Sequence, residues 1–139
     1  YIVMELCDLG SIRDYVKKNG PLTTEQAVPV INQIVLALQY LHSKNVCHRD
    51  ITAGNVLVQR IRSNGALIVV RFALCDFGIS KAMDKRRVAH TVVGTPGYMD
   101  PHMRNASTYD NRVDLYSLGC VLYMMLSGKE PSSPPDDPF

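Results

Sequence analysis

His48-Arg49-Asp50-Ile51-Thr52-Ala53-Gly54-Asn55, followed 21 residues after Asn55 by Asp76-Phe77-Gly78, is the stretch on which the reading of this chain turns. It sets out a carboxylate, a carboxamide five positions on, and a second carboxylate before a glycine. Phosphoryl transfer needs one carboxylate to orient and deprotonate a hydroxyl, and further oxygen ligands to hold magnesium against phosphates. Asp50 suits the first task, Asn55 and Asp76 the second. A bland reading makes Asp50 a helix cap, Asn55 a turn residue and Gly78 the end of a strand. Either short motif alone would be weak, but their joint occurrence in this order favours the chemical reading.

Working outward, the flanking sequence places both acidic motifs on loops around a hairpin. Val56-Leu57-Val58 and Ala66 to Leu74 read as two strands joined through Ser63-Asn64-Gly65. Upstream, Ser11 with Asp14 caps a short helix through Lys18 that Asn19-Gly20-Pro21 ends, and Thr23 with Gln26 caps a longer one. In the longer helix Val28, Ile31, Ile34, Val35, Leu38 and Leu41 recur at three- and four-residue steps, which predicts one core-facing stripe. Pro29 inside it predicts a kink or a late start. Tyr1 to Leu6 reads as an apolar strand. Downstream, Thr91 to Asn105 reads as irregular, with a turn cluster at Gly94-Thr95-Pro96-Gly97, and a last helix is expected from Val113 to Ser127, ended by Gly128. That helix is apolar almost all round, so it calls for burial on every side, yet the residues after Gly128 are too few to cover it. The few residues after it and the abrupt start at Tyr1 point to a piece of a larger domain.

Composition sets the outer bounds. At 139 residues, 46% apolar and 20% charged, the chain has the size and make-up of one globular domain. Its net charge of +2 argues against a general nucleic-acid or acidic-membrane binder. The charge is uneven: Val58 to His90 holds seven Lys or Arg against two Asp, and Thr91 to Phe139 holds three against six acidic residues. Cys7, Cys47, Cys75 and Cys120 show no zinc or redox spacing, so free thiols in a reducing, intracellular compartment are expected, the cytoplasm first and the nucleus left open. The apolar run from Val113 to Leu126 is too short and, with Asp114, too polar for a membrane span.

The two motifs resemble the catalytic loop and magnesium loop of the eukaryotic protein kinases, and the resemblance extends over essentially the whole chain. It implies an α+β fold: a kinase-like large lobe, mainly α-helical with a small β-hairpin at the active site, truncated at both ends. Residues 1–139 would be a partial kinase domain running from the hinge through the catalytic loop, magnesium loop and activation segment to the central helix, with the small lobe and the C-terminal helices absent. The resemblance makes Asp50 the catalytic base, and Asn55 and Asp76 the ligands of Mg2+. Met4 would be the gatekeeper, the backbone of Glu5 and Cys7 would meet the adenine edge of ATP, and Leu57 would pack under the ring. Asp114 would anchor the backbone of the catalytic loop.

Gly94-Thr95-Pro96-Gly97-Tyr98 resembles the substrate-positioning loop of the serine/threonine kinases, with Thr95 bonding near the catalytic Asp. Thr91 stands where relatives carry an activating phosphothreonine, and Arg49 would receive that phosphate. A protein substrate and an upstream activating kinase are therefore the implied partners. The words Gly-Ser-Ile, His-Arg-Asp-Ile-x-Ala-Gly-Asn and Gly-Thr-Pro lean toward the sterile-twenty-like branch.

Four departures stand against this frame. Thr52 occupies the place of a Lys that neutralises the transferring phosphate, and Gly54 does not supply the Arg that many tyrosine kinases use instead. Losing such a charge-assisted contact predicts chemistry roughly ten- to a hundred-fold slower. Asp100-Pro101-His102 replaces Ala-Pro-Glu. Gln59 to Arg71 is longer than in relatives. The Gly-rich loop, strand Lys and helix Glu that clamp ATP are absent, so no appreciable activity is expected of these 139 residues alone. The competing readings are a pseudokinase or interaction scaffold and a truncated product that aggregates.

Overall fold

The computed structural model describes residues 3–63, 66–83, 92–101, 103 and 108–132, with the backbone alone at 61–63 and 66–69. Helix α1 spans Ile12–Asn19 and α2 spans Thr24–Ser43. Both start where the cap signals place them. Ser11 Oγ accepts the Asp14 N–H at 3.2 Å while the Asp14 carboxylate accepts the Ser11 N–H at 3.2 Å. Gln26 donates its N–H to Thr23 Oγ1 at 3.4 Å, and Thr23 donates its own to Gln26 Oε1 at 2.9 Å. These reciprocal bonds satisfy amide groups that a helix start otherwise leaves without partners.

Pro29 does not delay α2, which begins five residues before it. The cost is local. Pro29 has no N–H for the carbonyl of Glu25, but Glu25 lies in the exposed first turn, where water can serve that carbonyl. The buried stripe of α2 is Ala27, Val30, Ile34 and Leu38, with Ile31, Val35 and Leu41 half-buried beside it. Val28, counted in the stripe from the sequence, is exposed. Steps of three, four and four starting at Ala27 follow the helical repeat more closely than a start at Val28.

Strand β1 is a two-residue segment, Val46–Cys47. Strands β2, Val56–Ser63, and β3, Ala66–Leu74, form an antiparallel hairpin from Val56↔Leu74 to Ser63↔Ala66, with an irregularity at Ile61/Arg62. The long Gln59 to Arg71 segment is therefore absorbed as a longer ladder. Both edges of the hairpin are covered. On one side Leu9 donates its N–H to Val58 O at 3.1 Å and Val58 donates to Gly10 O at 2.8 Å. On the other the Gln33 side chain stands in for a strand, accepting the Phe72 N–H at 3.0 Å and donating to Val70 O at 3.4 Å.

Strand β4, Lys81–Ala82, pairs with β1 through Val46↔Ala82 and Cys47↔Lys81. The sequence reading, which took this region for loop, did not include this pair. It closes the chain on itself, so that both acidic motifs and the hairpin lie between its two strands.

Helix α3 runs Arg112–Ser127, and Gly128 ends it at φ +71° with its N–H on Met124 O. As expected of a helix apolar almost all round in a chain too short to cover it, α3 is buried on one face only: Val113, Asp114, Ser117, Leu118, Val121, Met124 and Met125 are buried, while Leu115, Tyr116, Tyr123 and Leu126 are exposed. A helix packed against α1 and α2 can bury only the face turned toward them. The main core joins Ile12 and Val16 of α1, the α2 stripe, Ile51, Val56, Val58 and Tyr98 to Leu118, Val121, Met124 and Met125. A smaller cluster holds Cys47, Met83, Met103, Tyr109 and Val113.

A correction concerns the first residues. Residues 3–7 form no strand. Val3, Met4 and Leu6 are 95%, 73% and 79% exposed. The segment meets β2 and β3 through the side chains of Glu5, Asp8, Gln59 and Arg71, main-chain pairing with β2 begins only at Leu9, and an apolar stretch without a ladder partner gains nothing from extended pairing.

Candidate active site

The site is built on a buried carboxylate. Asp114 sits in the first turn of α3 with no solvent exposure. Its Oδ1 accepts the Arg49 N–H at 2.8 Å, and its Oδ2 accepts the His48 N–H at 3.0 Å, the Cys47 thiol at 3.4 Å and the His42 Nε2 at 2.8 Å. Burial alone would raise this carboxyl, but the bonds from His42, Arg49 and His48 outweigh it and hold it below its ordinary value. The same burial and the neighbouring negative charge push the Cys47 thiol far up, so it stays protonated as a donor. Arg49 is left-handed at φ +70°, a conformation that non-glycine residues take only when their surroundings impose it. The two N–H groups fastened to Asp114 impose it here.

From this anchor the loop turns its polar groups toward Asp50. Asp50 Oδ1 accepts both the Thr95 N–H at 3.0 Å and the Thr95 hydroxyl at 2.6 Å. Asp50 Oδ2 accepts Asn55 Nδ2 at 3.1 Å, and that nitrogen also donates to Asp50 O at 2.9 Å. Asn55 thus spends its amide nitrogen on Asp50, leaving Oδ1 as the free end of its carboxamide. Cys75 donates its N–H to Asn55 O at 3.0 Å, which brings Asp76 alongside. Asp76 is exposed and left-handed at φ +60°, and Gly78 donates its N–H to Asp76 Oδ1 at 3.1 Å. Two oxygen donors are therefore available on neighbouring strand ends, a carboxylate and a carboxamide, and both are hard ligands suited to Mg2+.

His48 holds the two loops together. Its Nε2 donates to Cys75 O at 3.1 Å, its Nδ1 accepts the Asp50 N–H at 3.3 Å, and its ring lies 4.7 Å from that of Phe77. Burial lowers its pKa, in keeping with a neutral ring that donates from one nitrogen and accepts at the other. The Arg49 guanidinium donates to Ile79 O through Nε at 2.6 Å and through Nη2, and to the Tyr109 hydroxyl at 3.2 Å. Thr91 and His102 lie outside the described residues. Thr52 is buried, and its hydroxyl accepts the Asn55 N–H at 3.2 Å, so it braces the turn.

The residues that the resemblance assigns to the nucleotide are less tightly set. Met4 is exposed, Cys7 and Leu57 are half-buried, and Leu57 bridges to Ser11. The Glu5 carboxylate meets Gln59 Nε2 at 3.1 Å and Arg71 Nη1 at 3.2 Å, and Leu6 O accepts Gln59 Nε2 at 3.1 Å. None of these residues has a hydrogen bond to Asp50, Asn55 or Asp76. All four cysteines are free, as expected.

Sequence reasoning missed His42, Ser117 and Glu130. His42 ends α2 and meets Asp114 across 72 positions, and Ser117 donates its hydroxyl to Tyr98 O at 2.7 Å. Glu130 accepts the Tyr98 hydroxyl at 2.7 Å; that phenol is pushed up to about 12 by burial and by this bond. The one available signal was the helical spacing of Asp114 and Ser117, which stack Ser117 one turn above Asp114 on the buried face. Among the described residues, no helix is long and apolar enough to cross a membrane.

The geometry agrees with comparison to known proteins. Among curated relatives, the probable serine/threonine-protein kinase zyg-1 of Caenorhabditis briggsae is 41% identical over 131 residues, which cover 94% of this chain and 18% of that protein. The serine/threonine-protein kinase PknB of Mycobacterium leprae is 37% identical over 134 residues, covering 94% and 20%. Human serine/threonine-protein kinase ULK1 is 36% identical over 142 residues, covering 98% and 13%. The chain thus spans a fifth or less of each of these relatives. They give no support to the sterile-twenty-like branch. The family model for the protein kinase domain matches residues 1–138, and with the Asp50, Asn55 and Asp76 loops arranged around one anchoring carboxylate, this chain belongs to the protein kinase domain family.

Proposed function

We propose that this chain carries the catalytic loop of an ATP-dependent serine/threonine protein kinase. The observation that carries the reading is the convergence on Asp50. Thr95 occupies Oδ1 with two donors, while Oδ2 holds a single bond from Asn55 and keeps a lone pair for the proton of an acceptor hydroxyl. Thr95 also fixes the start of the Gly94 to Tyr98 loop against the base, where an acceptor residue would lie. Asn55 Oδ1 and the Asp76 carboxylate would hold Mg2+, which when bound neutralises phosphate charge. The relatives' names support transfer to serine and threonine. Thr91 would be the site that an upstream kinase modifies, its phosphate taking the Arg49 guanidinium over from Ile79 O and Tyr109. We place the protein inside the cell on the strength of its free thiols.

The test is phosphate transfer from ATP to a mixed serine/threonine peptide set by the full-length protein, with Asp50→Asn as control. The reading expects labelled phosphoserine or phosphothreonine and a loss of about a hundred-fold or more in the variant. Equal rates in both proteins, or label on tyrosine alone, would overturn it.

A second reading, a scaffold that binds nucleotide without transferring phosphate, is favoured by Thr52. Its hydroxyl is committed to the Asn55 N–H and supplies no charge to a phosphate. Calorimetric titration with magnesium-ATP separates the two, since the scaffold binds without turnover.

A further inference from the structure

We infer that the cleft between α2 and the outer edge of β3 docks an extended, neutral segment of a partner protein, which adds to β3 as a strand and seats one large apolar side chain. Two features that the site around Asp50 does not use meet here, the long Gln59 to Arg71 segment and Pro29. A cavity of about 340 Å³ lies between Val58, Val70 and Phe72 of the hairpin and Pro29 and Val30 of α2. Val58 is paired with Phe72, and Val70 is two residues from it, so all three share the hairpin's inner face. An apolar cavity of about 150 Å³ holds one benzene-sized group, so this one has room for a leucine or phenylalanine side chain.

The ladder shows why a polypeptide fits. Val58 donates its N–H to Gly10 O and accepts the Leu9 N–H, and Arg60 donates its N–H to Asp8 Oδ1 at 3.1 Å. Val58 and Arg60 thus turn these groups away from β3. In an antiparallel ladder their partners, Phe72 and Val70, turn theirs away from β2. The Gln33 side chain takes two of them, the Phe72 N–H and Val70 O. The Val70 N–H is left on the outer edge with no hydrogen-bond partner among the described residues, and Val70 is 37% exposed. An edge donor of this kind is a template for a strand from another chain.

Gln33 closes one end of the cleft. Pro29 and Gln26 lie one and two turns before it on the same helix face, and among the described residues neither bonds to β3. Gln26 Oε1 accepts the Thr23 N–H, while its Nε2, also on the cavity wall, has no described partner. An extended chain brings carbonyls at regular spacing to both free donors, whereas a hydrocarbon ligand would fill the cavity and match neither. Arg60, across the ladder from Val70, is paired with Asp8 at 3.8 Å, so the incoming segment meets no unbalanced charge there. None of these groups bonds to Asp50, Asn55 or Asp76, so docking stands apart from the kinase reading.

The experiment uses the full-length protein and fluorescein-labelled, end-capped nonapeptides of Thr and Gln with Phe, Leu, Ala or Glu at the central position, read by fluorescence anisotropy. The Phe or Leu peptide is expected to bind about tenfold or more tighter than the Ala peptide, and the Glu peptide no better than Ala. Val70→Pro removes the edge N–H without touching a ladder bond and should weaken the better peptide about fivefold relative to Val70→Ala, which keeps the N–H. Leu22→Trp, which adds bulk to the cavity wall, should erase the preference for Phe or Leu. Thermal midpoints show whether each variant is folded. Without any variant, benzoylphenylalanine at the central position should crosslink to residues between Tyr15 and Gln33 or between Val58 and Phe72. Equal binding of the Ala, Leu and Phe peptides, crosslinks confined to other segments, or equal binding by Val70→Pro and Val70→Ala overturns the inference. Naphthalene binding in the cavity with no peptide bound overturns it in favour of a small-molecule site, and a dimer dissociated by Leu22→Trp overturns it in favour of a second copy of the chain.

Discussion

The loop around Asp50 and the segment around Met4 are both expected to touch ATP, yet they are held by different physics. The loop from Cys47 to Asn55 is tied to a fully buried carboxylate, and Thr95 closes over it from the other side. The segment from Val3 to Asp8 is held by exposed side chains: Glu5 to Arg71 and Gln59, and Asp8 to Arg60. A hydrogen bond to a buried charge has no water to replace it, whereas an exposed ion pair competes with water and salt. The geometry of the Asp50 loop is therefore built into the fold, and that of the segment from Val3 to Asp8 is left adjustable at the surface.

The contrast can be broken most severely at Asp114. Asp114→Ala leaves the His48 and Arg49 N–H groups and His42 facing an apolar gap, and should cost about 3 to 5 kcal/mol of stability. Thermal denaturation of the full-length protein checks this; a loss below about 1 kcal/mol would contradict the anchoring role. Because its folded pKa is depressed, this carboxylate contributes stability that is fully present above its unfolded value near 4 and is lost as pH falls through the folded value. His42, Cys47 and His48 are titratable groups that interact with it. A stability profile across acid pH should therefore show a decline below about pH 4 that Asp114→Asn largely removes.

Gly97 is the next point of leverage. It is left-handed at φ +88°, and a Cβ there would run into Pro131 O. Gly97→Ala combines backbone strain with a backbone clash and should cost about 2 to 3 kcal/mol. Its effect should fall on the Thr95 to Tyr98 loop, read as a drop in denaturation midpoint together with a lower kcat.

A smaller effect is expected at the cap of α1. Ser11→Ala removes one half of the capping box and should cost about 1 kcal/mol, measured by urea denaturation. The smallest belongs to the surface region. Arg71→Ala breaks the pair with Glu5, both half-exposed, and should change stability by less than about 0.5 kcal/mol and by less still in high salt. A larger, salt-insensitive loss would erase the contrast between the two regions.

Much of this was legible in the chain because it was local. Helix starts depend on residues three apart, so Ser11 with Asp14 and Thr23 with Gln26 located α1 and α2, and Gly128 located the end of α3. The hairpin followed from two apolar runs around Ser63-Asn64-Gly65. The strand expected before Leu6 failed because strand formation needs a partner, and the run of apolar residues carries no information about one. Which face of α3 would be covered was not legible for a related reason: composition states how apolar a face is, not what stands against it.

The identities and order of Asp50, Asn55 and Asp76 were determined by the sequence alone, because each role demands a particular oxygen donor at a particular spacing. Only the tertiary structure decided how those groups are held. The meeting of His42 with Asp114, the closure of β1 on β4, the seat of Arg13 against Gly54 and the Glu130 contact with Tyr98 join residues 32 to 72 positions apart. Such contacts follow from the packing of three helices and a hairpin around one core, and no local pattern of residue types encodes them.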